Sequence, residues 1–287
     1  LSREQRLRRL TAQSLASAGL TEVLTYPFLA QSSNDLFGAP EAGTVPAMRI
    51  ANAPDAEAAW MRTSLLPGLI AVARRNLSRG LTDLVLFEVG TVVRPEPGVT
   101  YGSGPLPVGD ALPSDVALEE LRASIPPQPW QVAALFLGDA VGKQPGVTPV
   151  ATGLADALAA AHHVASVLAA PLTVTSGSHQ AMHPGRTASL SIGDRHVGFA
   201  GELLPALAVE LDLPRVVAVL ELNLDALIEL GATEIAARPI SSFPAATQDV
   251  SLVVPVAVAA GDLLGVLIEG AGELLEHATL TDDYRGK

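Results

Sequence analysis

Met61-Arg62-Thr63-Ser64-Leu65-Leu66-Pro67-Gly68-Leu69, followed by Leu86-Phe87-Glu88-Val89-Gly90, decides how this chain folds. Ser64 can accept a hydrogen bond from the open N–H groups of a helix start. Pro67 suits the first turn, where its missing N–H is not needed. The helix begun here runs to Ser78, with Gly80 just beyond as its stop. Leu81 to Val93 then reads as a strand. Glu88 sits inside that strand between Phe87 and Val89. Such a carboxylate is either an inward polar anchor or the partner of a nearby Arg, and pairing is the simpler reading.

A second pair of blocks stands further on: His183-Pro184-Gly185-Arg186-Thr187-Ala188, then Gly201-Glu202-Leu203-Leu204-Pro205. Pro184 sets one backbone angle and Gly185 permits an unusual one, so a turn is expected. His179 and His183 have the spacing of helical metal ligands. Pro184, however, disfavours helix for His183, and no third ligand is at hand. Thr187–Ile192 and His196–Ala200 form a hairpin around Gly193-Asp194.

Outward from these blocks, residues 3–18 read as an amphipathic helix with Leu7, Leu10, Ser14 and Leu15 on one stripe. Thr21–Phe28 is a strand. Pro95–Pro113 is a Pro/Gly-rich loop, Val132–Leu137 a strand and Thr152–Leu168 an Ala-rich helix. Leu172–Ser176 is a strand, Leu204–Leu211 a short helix and Val216–Leu222 a strand. Neighbouring strands joined by short turns favour an antiparallel sheet flanked by helices over a doubly wound parallel one. Arg238–Pro244 reads as a linker. After it Asp249–Pro255 is a strand, Ala260–Glu269 a helix and Leu274–Thr281 a strand.

With 48% hydrophobic but only 4% aromatic residues over 287 positions, the core must be aliphatic. A net charge of −12 repels phosphate on average, so any RNA contact must be local, and a DNA partner is not expected. The absence of cysteine excludes disulfides, thiolate metal sites and a cysteine nucleophile, and fits the cytoplasm. No apolar run is long enough to span a membrane. Phosphate-loop, dinucleotide-binding and nucleophile-elbow patterns do not occur. The start at Leu1-Ser2-Arg3 and the stop at Tyr284-Arg285-Gly286-Lys287 read as cuts within a longer protein.

Taken in order, these blocks resemble the bacterial phenylalanyl-tRNA synthetase beta subunit. Gly19–Val23 with Thr25–Phe28 is similar to the family's first interface strand. The Met61–Leu69, Leu86–Gly90, His183–Arg186 and Gly201–Pro205 blocks follow in family order. Phe243-Pro244 with Asp249–Leu252 resembles the entry to its anticodon-binding domain. Gln248 departs from the Arg often found there.

The resemblance implies a class II aminoacyl-tRNA synthetase-like α+β core over residues 1–237. It implies the first half of a ferredoxin-like anticodon-binding domain, a partial β-α-β unit, over 238–287. It implies a non-catalytic chain that assembles with a catalytic alpha subunit as an (αβ)2 heterotetramer. The whole enzyme uses ATP and Mg²⁺ to attach phenylalanine to tRNA(Phe), and the apolar faces of Leu7, Leu10 and Leu15 would bury against partner helices.

Arg94-Pro95-Glu96 mimics the Arg-x-Glu by which class II synthetases clamp the ATP α-phosphate, so Arg94 and Glu96 are relic candidates. At the place of the third motif, Gly198–Leu203 offers no Arg. Phe243 and Asp249 are candidates for contact with tRNA. The alternative is a free-standing class II paralogue that binds an amino acid or ATP, as a sensor or a divergent ligase.

Overall fold

Ser2 accepts the N–H of Gln5, and the Gln5 side chain accepts the N–H of Ser2, so the chain opens on a capping box. The computed structural model describes residues 1–102, 109, 112–233 and 241–284. From the capped α1 (Arg3–Ser17) it passes through β1 (Thr21–Glu22), β2 (Phe28–Leu29), α2 (Gln31–Phe37) and β3 (Trp60–Met61). Then come α3 (Leu66–Leu77), β4 (Leu84–Thr91), α4 (Asp115–Ala123), β5 (Trp130–Leu137), β6 (Asp139–Val141) and β7 (Val150–Ala151). After these follow α5 (Leu154–Val167), β8 (Thr173–Ser176), β9 (Met182–Ile192), β10 (Arg195–Leu203) and α6 (Pro205–Glu210). β11 (Val217–Asn223), α7 (Leu224–Leu230) and α8 (Ala260–Ala271) complete the order, with a single 3₁₀ turn at Gly272–Leu274.

Seven strands form one sheet in the order β1-β4-β5-β11-β10-β9-β8. Only the β1–β4 pairing is parallel. Strand alternation gives the sheet two apolar faces. One carries Phe87, Val132, Ala134, Leu220 and Leu222 beneath the small side of α5, where Ala157, Ala161 and Ala165 let the helix approach closely. The other carries Leu86, Leu135 and Val219 beneath Leu65, Leu66 and Leu69 of α3 and its entry. An aliphatic, Ala-rich composition thus suffices because each helix lies against a flat sheet face rather than filling a deep cavity. The fold is mixed α+β with a largely antiparallel sheet.

Several expectations need correction. Thr21–Phe28 is not one strand: β1 pairs with β4 only at Thr21 and Glu22, and Val23 N–H adds one more bond to Phe87 (2.8 Å). The chain then leaves the sheet as Thr25 turns to a buried carboxylate and Pro27 lacks a ladder donor. Leu15 and Leu7 pack into this chain's own core, so neither is free for a partner helix; Leu10 remains exposed. The helices α4 and α7 escaped the sequence reading, although Ser114 and Asn223 cap them with side-chain hydrogen bonds.

Clustering of contacts separates Leu1–Ile235 from Ala236–Lys287. In the second unit α8 forms, but Asp249–Pro255 and Leu275–Thr281 make no strand pairing among the described residues. A helix satisfies its backbone internally, whereas a strand needs a neighbour. Apolar side chains in this unit, including Val253 and Leu274, stay exposed. Of the expected linker, Arg238, Pro239 and Ile240 lie outside the described residues, as do Ser103–Val108 of the Pro/Gly-rich loop.

Phe87 is the largest fully buried side chain of the sheet. Phe87→Ala should cost roughly 3–5 kcal/mol. Urea denaturation followed by far-UV circular dichroism measures it; a loss under about 1 kcal/mol would mean that the α5-side core is not close-packed.

Candidate functional site

Three rungs across β4, β5 and β11 show where the α3 face of the sheet changes character. The first is Leu86, Leu135 and Val219; the second Glu88, Ala133 and Glu221; the third Gly90, Gln131 and Asn223. Within two rungs an apolar surface becomes a polar one, and nearly all of it is buried. Next to it, Phe199 of β10 and Ser189 of β9 continue the second rung.

The Arg62-Thr63-Ser64 sequence supplies the partners. Arg62 pairs with Glu88 at 2.7 Å and donates to the Thr91 carbonyl at 2.9 Å. Thr25 donates to the other Glu88 oxygen at 2.6 Å and accepts from Arg62 at 2.9 Å. Gly90 is required beside them, because a Cβ there would lie 2.6 Å from Arg62 Nη2. Thr63 donates through N–H and hydroxyl to Asn34 at 2.9 and 3.0 Å, and Asn34 donates to the Met61 carbonyl at 3.0 Å.

Ser64 donates to Glu221 at 2.7 Å, and the Leu65 N–H donates to the other Glu221 oxygen at 2.8 Å. Ser64 also accepts the Leu66 N–H at 3.1 Å. It therefore serves the helix start from one residue before the cap position, which Leu65 occupies instead of the expected Ser64. A carboxylate reaching from β11 completes the N-terminus of α3, where partial positive charge favours it. Burial nevertheless pushes the Glu221 carboxyl above the usual range, opposed first by Arg94 and then by the Leu65 N–H and Ser64.

Beyond Glu221 lies a cavity of about 750 Å³. Gln131, Glu221, Asn223, Phe199 and Ser189 line its sheet side, and Phe37–Glu41 with Ser176–His179 form its rim. The rim is built, not draped. Gln180 Nε2 lies 2.7, 3.1 and 3.0 Å from the carbonyl oxygens of Asp35, Ala39 and Glu41. Its backbone N–H bonds Pro40 at 2.7 Å. Gly38 has no room for a side chain against Thr63 and the Asn34 carbonyl. His179 stacks on Phe199 with ring centroids 4.5 Å apart, and its Nδ1 accepts the Ala181 N–H at 3.2 Å. Burial lowers its pKa to about 4, with the Phe37 backbone opposing.

Of the relic candidates, the structure brings Arg94 to the cavity and leaves Glu96 out. Arg94 is exposed and lines both this cavity and an adjoining one of about 380 Å³. Its side chain has no ion pair or hydrogen bond among the described residues. Glu96 lines neither space, and its N–H is bonded by Tyr101 at 3.3 Å. Phe243 and Asp249 belong to the second unit and are both exposed.

The His183–Arg186 block is a bulge in β9 rather than a free turn: the pairing with β10 shifts between Thr187 and Met182. His183 Nδ1 accepts the Gly185 N–H at 3.1 Å. Arg186 pairs with Glu202 at 2.6 Å, and Glu202 also receives the Leu154 N–H at the start of α5 at 3.3 Å. Among the described residues no group of three His, Cys, Asp or Glu side chains could hold a metal ion. Nor does the cavity suit a magnesium triphosphate, whose negative charges would meet, among the described residues, one unpaired guanidinium and the carboxyl groups of Glu41 and Glu221.

Glu221 went unnoticed in the sequence although it carries the signal that singled out Glu88, a carboxylate inside an apolar strand. Asn34 and Gln180 gave no sequence signal, because their partners stand 27 or more positions away.

Arg62→Met leaves Glu88 buried without its cation and should destabilise the chain by roughly 3–5 kcal/mol in urea denaturation. For His179 the native state binds fewer protons than the unfolded state between pH 6.5 and about 4. Its contribution is present above that window and is lost as pH falls through it, by up to roughly 3 kcal/mol. His179→Gln should flatten this part of the stability–pH curve; parallel curves for the two proteins would refute the buried neutral imidazole.

Comparison with known proteins agrees with the geometry. The family model described as phenylalanyl tRNA synthetase beta chain CLM domain matches residues 1–224. The phenylalanine–tRNA ligase beta subunit of Leifsonia xyli subsp. xyli is 56% identical over 289 residues, covering 100% of this chain and 34% of that protein. Those of Cutibacterium acnes and Thermobifida fusca are 38% and 40% identical, covering 100% of this chain and 34% and 35% of theirs. This chain thus spans about a third of the length of these relatives. Among solved structures, a pyrrolysyl tRNA synthetase of Desulfitobacterium hafniense superposes with a TM-score of 0.52 at 15% identity, covering 78% of this chain and 67% of that one. A second structure of that enzyme gives 0.52 at 17%, covering 79% and 68%. At such identities the likeness shows the fold alone, that of a synthetase-like sheet. With three quarters of its length under one family model, this chain belongs to the phenylalanyl-tRNA synthetase beta chain CLM domain family.

Proposed function

We propose that this chain is the non-catalytic, synthetase-like core of a phenylalanine–tRNA ligase beta subunit. It assembles with a catalytic alpha subunit in an (αβ)2 complex in the cytoplasm. The assembled enzyme uses ATP and Mg²⁺ to attach phenylalanine to tRNA(Phe). Residues 1–237 form the core, and 238–287 belong to the anticodon-binding domain, with Phe243 and Asp249 as its candidate contacts to tRNA. The reaction's charged substrates are handled by the partner, and this chain's role is to present a rigid surface.

One observation carries this reading: the motif side chains that would act on a substrate are engaged with one another. Arg62 holds Glu88, Ser64 holds Glu221, and Arg186 holds Glu202. A guanidinium saturated by a buried carboxylate cannot clamp a phosphate without leaving that carboxylate unpaired. The surface, by contrast, has unused apolar area. Leu24 and Tyr26 are 89% and 84% exposed, flanking the inward-turned Thr25, and Phe28 and Leu10 are exposed as well. Such a cluster is what a partner subunit covers. No helix among the described residues is long and apolar enough to cross a membrane.

Co-expression with the alpha subunit of the same organism, followed by a sizing column, tests the proposal. The expected result is one large species containing both chains, while the chain alone self-associates. Leu24→Asp with Tyr26→Asp should dissociate the pair by at least about tenfold without changing the circular dichroism, since neither side chain is packed. Catalysis of ATP–pyrophosphate exchange by the lone chain would refute the non-catalytic reading.

A further inference from the structure

The segment between β1 and β2 is anchored on alternate residues. The Val23 N–H donates to the Phe87 carbonyl at 2.8 Å, and the Thr25 hydroxyl donates to Glu88 at 2.6 Å. The Pro27 carbonyl accepts the Arg62 N–H at 2.8 Å. The residues between these anchors turn the other way. Leu24 and Tyr26 are 89% and 84% exposed, and Phe28 is 39% exposed. Side chains two apart on an extended chain share a face, about 7 Å from one to the next. Three apolar groups therefore stand in a row, while Val23, Thr25 and Pro27 are fixed beneath them.

Sheet pairing does not impose this arrangement. β1 pairs with β4 only at Thr21 and Glu22, and β2 pairs with β3 only from Phe28. Among the described residues no strand lies alongside residues 24–27. The Thr25 hydroxyl stands in the middle of that gap. It donates to one oxygen of the buried Glu88 carboxylate, whose other oxygen is held by Arg62 at 2.7 Å, and it accepts from Arg62 at 2.9 Å. A hydroxyl that donates to one charged group and accepts from another has little freedom to turn. Gly68 closes the remaining side, where a Cβ would collide with the Thr25 side chain.

We propose that Thr25 is the positioning residue of the docking surface: its hydroxyl, held by the buried Glu88–Arg62 pair, fixes the directions of Leu24 and Tyr26 before a partner arrives. This rests on the reading that those two side chains meet the alpha subunit. Thr25 faces inward and acts through its neighbours. On a loose connection Leu24 and Tyr26 would have to be ordered during binding, and that ordering would be subtracted from affinity. Anchored at residues 23, 25 and 27, they are ordered already.

Calorimetry of this chain against the alpha subunit gives Kd for each variant, and urea denaturation of the lone chain gives its stability. Thr25→Val keeps the shape and loses the hydroxyl. It should weaken association by at least about tenfold, and Thr25→Ser should return Kd to within about threefold of the parent. Gly68→Ala, which displaces the Thr25 side chain but leaves its hydroxyl, should weaken association as well. In a chain carrying Leu24→Ala and Tyr26→Ala, Thr25→Val should change Kd by less than about twofold, because its effect passes through those side chains. A residue that only stabilises the fold would add its full effect there. Hydrogen exchange of the lone Thr25→Val chain should speed up over residues 23–28 and not in α5. The positioning role is overturned if Thr25→Val binds like the parent, if Thr25→Ser fails to restore Kd, or if the effects add in full. If instead Leu24→Ala with Tyr26→Ala binds like the parent, the docking surface lies elsewhere and this inference falls with it. Failure of the parent chain to associate refutes the assembly reading itself, so each failure is told apart by the measurement that shows it.

Discussion

A carboxylate on a sheet strand that meets the open end of a crossing helix is the contact on which this fold depends. Glu221 holds the Leu65 N–H and the Ser64 hydroxyl at the start of α3. On the opposite face Glu202 receives the Leu154 N–H at the start of α5 and pairs with Arg186. The helices α3 and α5, one on each face of the sheet, therefore both begin against a sheet carboxylate. Apolar packing alone allows a helix to slide or rotate over a flat aliphatic surface. A buried charge with defined partners does not, since moving the helix would strip the carboxylate of its donors at a cost of several kcal/mol. The Leu and Ala contacts supply most of the free energy of burial, while Glu221 and Glu202 select where each helix starts.

The same arrangement engages most of the charged motif side chains with one another. The same rung that carries Glu221 carries Glu88, and Arg62 closes the pair. Satisfied internally, these groups rigidify the end of the sheet from which Thr25 leads into the exposed Leu24 and Tyr26 segment. The buried network and the apolar surface are thus linked through a single residue: Thr25 faces in to hold Glu88 and Arg62, so its neighbours on either side must face out. Gly68 adjoins Thr25 with no room for a side chain, which ties the first turn of α3 into the same point.

The sequence showed those parts of the fold that are set locally. β5, the Ala-rich α5 and the Gly193-Asp194 hairpin follow from strand composition, helix periodicity and turn chemistry, each within a dozen residues. The Met61–Leu69 block was legible as a helix entry because Ser64 and Pro67 carry that signal themselves. What remained hidden depends on distance. Ser64 and Glu221 are separated by 157 positions, and no local pattern announces which strand carboxylate a helix start will meet. The break in Thr21–Phe28 was hidden for the same reason, since Thr25 leaves the sheet to reach Glu88, 63 positions away. The unpaired segments of the second unit show the converse. Their alternation is strand-like, but alternation specifies a face and not a neighbour, and without a neighbour no strand forms.

Arg94 stands apart from the charged residues that hold this fold together. Glu221 and Glu202 meet helix starts, Arg62 pairs with Glu88 and Arg186 with Glu202, so the fold accounts for all five. Removing any of them would leave a buried group unsatisfied whether or not the cavity is ever occupied. Arg94 is different: among the described residues its side chain closes no ion pair and makes no hydrogen bond, and it lines the cavity beside Glu221. There its positive charge opposes the upward push that burial exerts on the Glu221 carboxyl.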